Sequence, residues 1–234
     1  MREFAARQPD FKRATCAVAA LAVLASAPAA AQNPNAGQMA EQYAQSAKAN
    51  AELTRQYTWQ MRVSLTYKGD AEDPELYQMN WDANGKLQKT LISAPPDPKK
   101  RHGIRKHIAD KDIDAFKKWL SDLMDLCKQY MAPTPGQMMD FYSKATITPG
   151  PNGNAVAFEN GFIQPGDKAT YYIDPTTHKP VKYAFMTALQ GDTVNATVVY
   201  GVVPGGPQYA AQTSVSVPAK EVTMVIENFN YVKQ

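Results

Sequence analysis

From Tyr57 to Tyr67 the chain reads YTWQMRVSLTY, with Tyr57, Trp59, Met61, Val63, Leu65 and Tyr67 alternating strictly with Thr58, Gln60, Arg62, Ser64 and Thr66. A period of two puts the two sets of side chains on opposite faces of an extended strand, one face buried and one wet. A chain with such a strand has to build a sheet and then cover its single apolar face.

The following residues supply that sheet. ELYQMNWD repeats the alternation through Tyr77, Met79 and Trp81, and DANGK predicts a hairpin into KLQKTLIS, because Asn-Gly supplies the positive φ angles of tight turns. After residue 145 six further segments read as strands: NAVAFENGFI, KATYYID, KPVKYAFMTAL, DTVNATVVYGV, QYAAQTSVSV and EVTMVIENFNY. Their connections (QPGD, DPTTHKP, LQGD, VPGGP, VPAK) are short turn chemistry, which suits antiparallel neighbours and rules out helical crossovers between them. About nine strands are expected. Two kinds of helix accompany them. GQMAEQYAQSAKANAELTRQ, residues 37–56, is rich in good helix formers and carries a thin apolar stripe. In residues 112–131, Ile113, Phe116, Leu120, Leu123, Cys127 and Tyr130 recur at helical spacing, widened by Trp119, Met124 and Met131. Asp110 and Asp112 stand where a helix start takes caps, and GQMMDFYSKA reads as a short further helix. The expected fold is α+β: a curled antiparallel sheet, an open or half barrel, with a helical lid inserted after the third strand.

The N-terminus has a different character. Arg2, Arg7, Lys12 and Arg13 precede the apolar run ATCAVAALAVLASAPAAA, which ends in Ala29-Ala30-Ala31. This is the pattern of an export signal cleaved after Ala31, with an apolar core shorter than the roughly 20 residues of a membrane span. Residues 1–31 are thus expected to be a signal peptide, 32–36 a disordered leader and 37–234 one domain in the periplasm. Removing the four bases and two acids of 1–31 leaves 21 bases and 20 acids, so the exported chain is near neutral. That balance speaks against nucleic acid as a partner. Only Cys127 survives cleavage, so no intramolecular disulfide is available and apolar burial has to hold the fold.

Strand residues Trp59, Met61, Trp81, Tyr183 and Phe185 and helix residues Met124, Met131, Met138 and Met139 could line a space between lid and sheet. Methionine-rich, aromatic walls suit a greasy ligand, and the same residues could equally fill a core. Together, the signal peptide, the Ala/Gln-rich helix, YTWQMRVSL, WDANGKLQK, YYIDPTTHKPVKYAF and the closing KEVTMVIENFNY resemble the periplasmic lipoprotein-carrier and lipoprotein-sorting family named for LolA, over residues 38–234. The resemblance implies an unclosed antiparallel barrel whose helical lid covers a cavity for acyl chains, hence a lipid or lipoprotein acyl-chain binder. This chain departs from the family in two respects, the first being that about nine strands are read here where the family usually has about eleven. The carrier holds its lid with an arginine beside the cavity, whereas Arg62, the only first-strand arginine here, falls on the polar parity.

Catalytic signatures are missing: there is no G-x-S-x-G, P-loop, H-E-x-x-H or C-x-x-C. Cys127 lies on an apolar stripe, where a thiol behaves as a small hydrophobe. His102 and His107 are five apart, off a common helical face, and are read as hydrated surface groups; His178 falls in a turn. No enzyme activity, cofactor or metal is therefore expected. KKRHGIRKH, residues 99–107, is a solvated connector or, alternatively, a cationic rim formed by Lys99, Lys100, Arg101, Arg105 and Lys106 that attracts anionic lipid headgroups or a membrane surface. Two functional readings stay open: a monomeric hydrophobic-ligand binder or carrier, and a non-enzymatic envelope protein-interaction module, such as a stress sensor or assembly accessory, whose partner is another envelope protein.

Overall fold

The computed structural model describes residues 36–93, 107–109, 112–177 and 179–234. Residues 1–35, where the signal peptide and leader are expected, the proposed rim residues Lys99, Lys100, Arg101, Arg105 and Lys106, and His102, Asp110 and His178 lie outside the described residues.

Helix α1 (Ala36–Thr54) leads into β1 (Tyr57–Tyr67), β2 (Asp70–Ala71), β3 (Glu75–Trp81) and β4 (Leu87–Leu91). Helices α2 (Ile113–Met131) and α3 (Pro135–Lys144) follow. The chain then continues as β5 (Thr146–Pro149), β6 (Ala155–Asn160), β7 (Lys168–Ile173), β8 (Pro180–Leu189), β9 (Asp192–Val202), β10 (Gln208–Val217) and β11 (Val222–Lys233). The sheet is open and antiparallel, with 11 strands in the order β4-β3-β1-β11-β10-β9-β8-β7-β6-β5 and β2 paired to β1. The α+β architecture matches the expectation, but the strand count does not: β2 and β5 were not foreseen. The first is a two-residue return, and β5 (TITP) has all four residues exposed, so neither shows alternation.

This order explains where the helices go. The first and last long strands, β1 and β11, are neighbours, so the sheet's two edges are β4 and β5. The chain leaves at one edge and re-enters at the other, and α2 and α3 lie on that path, laid over one face. Helix α3 packs on β6 and α2 on β8, while α1 packs along α3.

Register carries the apolar face across the sheet. Ala157, Tyr171, Tyr183, Val198, Thr213, Ile226 and Val63 form one continuous cross-strand row. Beneath the helices this face meets Leu123, Leu126, Cys127 and Tyr130 of α2 and Met138, Phe141 and Tyr142 of α3. Each large apolar side chain buried there contributes about 1.5–3 kcal/mol.

Two local details differ from expectation. In the DANGK hairpin only Gly85 has a positive φ, +73°, and the turn is held by the Asp82 carboxylate, which accepts the N–H groups of Asn84 and Lys86 at 2.9 Å each. Asp112 occupies the N-cap of α2 in a helical conformation, and its side chain makes no capping bond. The capping box expected of helix starts appears instead at α3, where the Thr134 hydroxyl accepts the Gln137 N–H and the Gln137 side chain accepts the Thr134 N–H.

Candidate functional site

An aromatic chain runs along the seam between the end of β1 and the first half of α2. Tyr67, the last apolar residue of the alternating strand, stands 5.0 Å from the Phe116 ring, and Phe116 stacks on Trp119 at 5.8 Å. Phe116 and Trp119 are three apart on one helix, so a single face presents both to Tyr67. The His107 ring meets Tyr67 edge-on at 5.7 Å and its Nε2 contacts the Asp70 carboxylate, next to the turn after β1. The surface reading of His107 is thus corrected: it is half-buried, because a carboxylate and an aromatic face together hold the ring in place.

These groups enclose a groove of about 430 Å³, lined by Tyr67, His107, Ile108, Ala109, Asp112, Phe116, Trp119 and Lys220. The size falls in the range of small-molecule sites. Its lining mixes the rings of Tyr67, Phe116 and Trp119 with the polar groups of His107, Asp112 and Lys220, whose ammonium also reaches Asp192 at 3.4 Å. Trp119 is 8 % exposed, yet its indole N–H has no hydrogen-bond partner among the described residues. A buried donor without an acceptor costs about 1–3 kcal/mol.

Deeper under the helices the polar groups are arranged differently. The Tyr130 hydroxyl of α2 donates to Asp167 Oδ2 at 2.7 Å and is paired with the Thr187 hydroxyl at 2.8 Å. Asp167 also accepts the N–H groups of Phe162, Ile163 and Gln164 at 2.5, 2.9 and 2.8 Å, which fixes the loop between β6 and β7. Burial pushes the Tyr130 hydroxyl far above its ordinary range, so it remains a donor at any physiological pH. The Cys127 thiol is buried and pushed up to about 11, leaving essentially no thiolate for nucleophilic chemistry.

The nine cavity candidates are distributed over three places. Tyr183 and Phe185 are in the buried aromatic stack, with Tyr183 4.1 Å from Tyr171 and Phe185 4.5 Å from Tyr130; Met138 is fully buried and Met124 half-buried against the same core. Trp59, Met61 and Trp81 belong to the opposite end of β1. There Trp59 stacks on Tyr231 at 5.4 Å and donates to Asn228 Oδ1, and Trp81 donates to the Thr54 carbonyl. Met131 and Met139 are exposed, at 39 % and 51 %. None of the nine lines the groove. The residues that do, Tyr67, Phe116 and Trp119, were visible in the sequence as the end of the strand pattern and the edge of the helix stripe. Nothing local in the chain showed that the two would meet. Arg62 keeps the outer face, as its parity required, with its guanidinium 5.0 Å from the Phe229 ring and 3.3 Å from Glu227.

No protein-family model matches the chain, and no curated protein does. Three solved structures match along most of it. An outer membrane lipoprotein-sorting protein domain from Vibrio parahaemolyticus is 13 % identical with a TM-score of 0.42, over 86 % of this chain and 94 % of its own. A DUF1329 family protein from Desulfovibrio piger is 9 % identical with a TM-score of 0.37, over 86 % and 92 %. A LolA superfamily protein from Nitrosomonas europaea is 12 % identical with a TM-score of 0.34, over 81 % and 94 %. The lipoprotein-sorting and LolA names among these similar structures are those of the group that the sequence motifs resemble.

Proposed function

We propose that this chain is an exported, non-enzymatic binder of apolar ligands that takes the acyl portion of a lipid or lipoprotein into the groove between β1 and α2. The observation that carries the reading is the groove of about 430 Å³ lined by the rings of Tyr67, Phe116 and Trp119. An acyl chain supplies apolar surface for Tyr67, Phe116 and Trp119. Lys99, Lys100, Arg101, Arg105 and Lys106 lead in sequence directly into His107 of the groove, and we assign them attraction to anionic headgroups. Reversing those five charges is expected to weaken binding to anionic vesicles and leave binding to neutral ones unchanged.

The direct test is mass spectrometry of a solvent extract of protein purified from the periplasm, together with uptake of a fluorescent fatty acid. A co-purifying lipid and saturable uptake are the expected results. Finding neither would overturn the reading. N-terminal sequencing of the same sample should begin at Gln32 if export proceeds by cleavage after Ala31.

A second reading has its own support. On β4, an edge strand, Leu87 and Leu91 are exposed at 39 % and 40 %, and Ile92 beyond it at 46 %. An edge strand with exposed apolar side chains is a template for a partner's strand, as in a protein-interaction module. Stoichiometric capture of one envelope protein, without lipid and sensitive to Leu91→Lys, would favour that reading over the first.

A further inference from the structure

We propose that Glu159 is a protonation-driven latch between α3 and the sheet: neutral, it lets the helix lie closed on β6, and ionised, it loosens the helix. Glu159 stands at the β6 end of a cross-strand row that continues through Ala169, Phe185, Ala196, Val215 and Met224. It is the one ionisable side chain of that row, on the face that α3 covers. It is 4 % exposed, and neither carboxylate oxygen has a hydrogen-bond partner among the described residues.

The charged groups facing it do not neutralise it. From α3 come Asp140 and Lys144, and the Lys144 ammonium is held by Asp140 at 2.5 Å. From the loop ahead of β7 comes Asp167, a second negative charge whose oxygens are occupied by Tyr130 and three backbone N–H groups. The residue opposite on β7 is Ala169, which offers nothing polar. An ionised carboxylate in this position would be buried without a hydrogen bond, the arrangement that proteins relieve by protonation or by opening.

Burial accordingly pushes the Glu159 carboxyl up to about 7, with Lys144 pulling it down and the two aspartates pushing it further up. The sign follows from linkage. A carboxyl whose value is higher in the closed state than its ordinary 4.5 favours closure in acid, and that preference is lost as pH rises from 4.5 through about 7. The latch is independent of what, if anything, the groove binds, so it can fail or stand without affecting the ligand reading.

Hydrogen exchange along α3, corrected for the intrinsic pH dependence of exchange, tests the latch on the intact exported protein. Between about pH 6 and about pH 8 the opening equilibrium of α3 is expected to rise about tenfold, if opening returns Glu159 to water. In Glu159→Gln this rise should disappear, and the amides of α2 should show no comparable change. A carbon-13 titration of the Glu159 carboxyl in the unmodified protein gives a second readout that needs no variant, with an expected midpoint near 7. A pH-independent α3, the same rise persisting in Glu159→Gln, or a midpoint at the ordinary carboxylate value would each overturn the latch.

Discussion

Two aromatic clusters under the same helical layer differ in whether the space between their rings is filled. Each holds a buried polar atom without a partner among the described residues, the Tyr183 hydroxyl in one and the Trp119 indole N–H in the other. In the β7–β8 cluster, Tyr171, Tyr183, Phe185 and Tyr130 stack ring on ring at 4.1 to 5.5 Å, and the Tyr130 hydroxyl is bound on both sides by Asp167 and Thr187. In the β1–α2 cluster, Tyr67, Phe116 and Trp119 stand 5.0 to 5.8 Å apart around open space, and the indole N–H is unpaired. Aromatic content therefore does not separate core from site in this molecule. Whether the space is filled does, because a close-packed core admits few voids.

The largest effect should come from breaking the completed cluster. Asp167→Ala removes the acceptor of three backbone N–H groups and of Tyr130 together; Thr187 can still take the Tyr130 hydroxyl, but the buried Phe162 N–H and the part-buried Ile163 and Gln164 N–H groups lose their shared acceptor. A loss of about 3–5 kcal/mol is expected in urea unfolding. A loss under about 1 kcal/mol would mean that the loop does not depend on this carboxylate, and the contrast between the clusters would fail.

The open cluster should respond in the opposite way, losing binding before stability. Phe116 is half-buried, so Phe116→Ala is expected to cost less than the roughly 3–5 kcal/mol of a fully buried phenylalanine, while weakening fatty-acid uptake about tenfold. Trp119→Phe sharpens the point, because it keeps the ring and deletes only the N–H. Stability should stay within about 1 kcal/mol of the parent, or rise, since the deleted donor had no partner.

Legibility in the sequence followed the range of the physics involved. The strict alternation of β1 and the helical stripe of α2 are local periodicities, and both elements stand where the pattern put them. The insertion of helices after the third long strand was also legible, since turn chemistry marked every neighbouring connection. The edge strand β5 was not, because TITP is exposed on both faces and a strand without a buried face has no pattern. Nor was the Tyr130–Asp167–Thr187 network, whose members come from α2, a loop and β8 and meet only through register. The groove was hidden for the same reason: Tyr67 and Phe116 are 49 positions apart and meet only once α2 lies across the sheet. A distant contact of this kind leaves no local periodicity.

The smallest effect is expected on the outer face, and it tests whether the site has a share there. Arg62 lies at a position of even parity, next to Phe229 and Glu227, with 47 % of its side chain exposed. A surface ion pair contributes about 0–1 kcal/mol, and a cation over an exposed ring about 0.5–1 kcal/mol, so Arg62→Ala should cost no more than about 1 kcal/mol. The ion-pair part of that loss should shrink in high salt, because the pair is open to solvent. Lipid uptake should be untouched, since Arg62 projects from the face opposite Val63, Leu65 and Tyr67. If Arg62→Ala instead releases bound lipid or speeds exchange in α2 and α3, the outer face takes part in closing the groove. The division between a passive outer face and a helix-covered face that binds would then have to be abandoned.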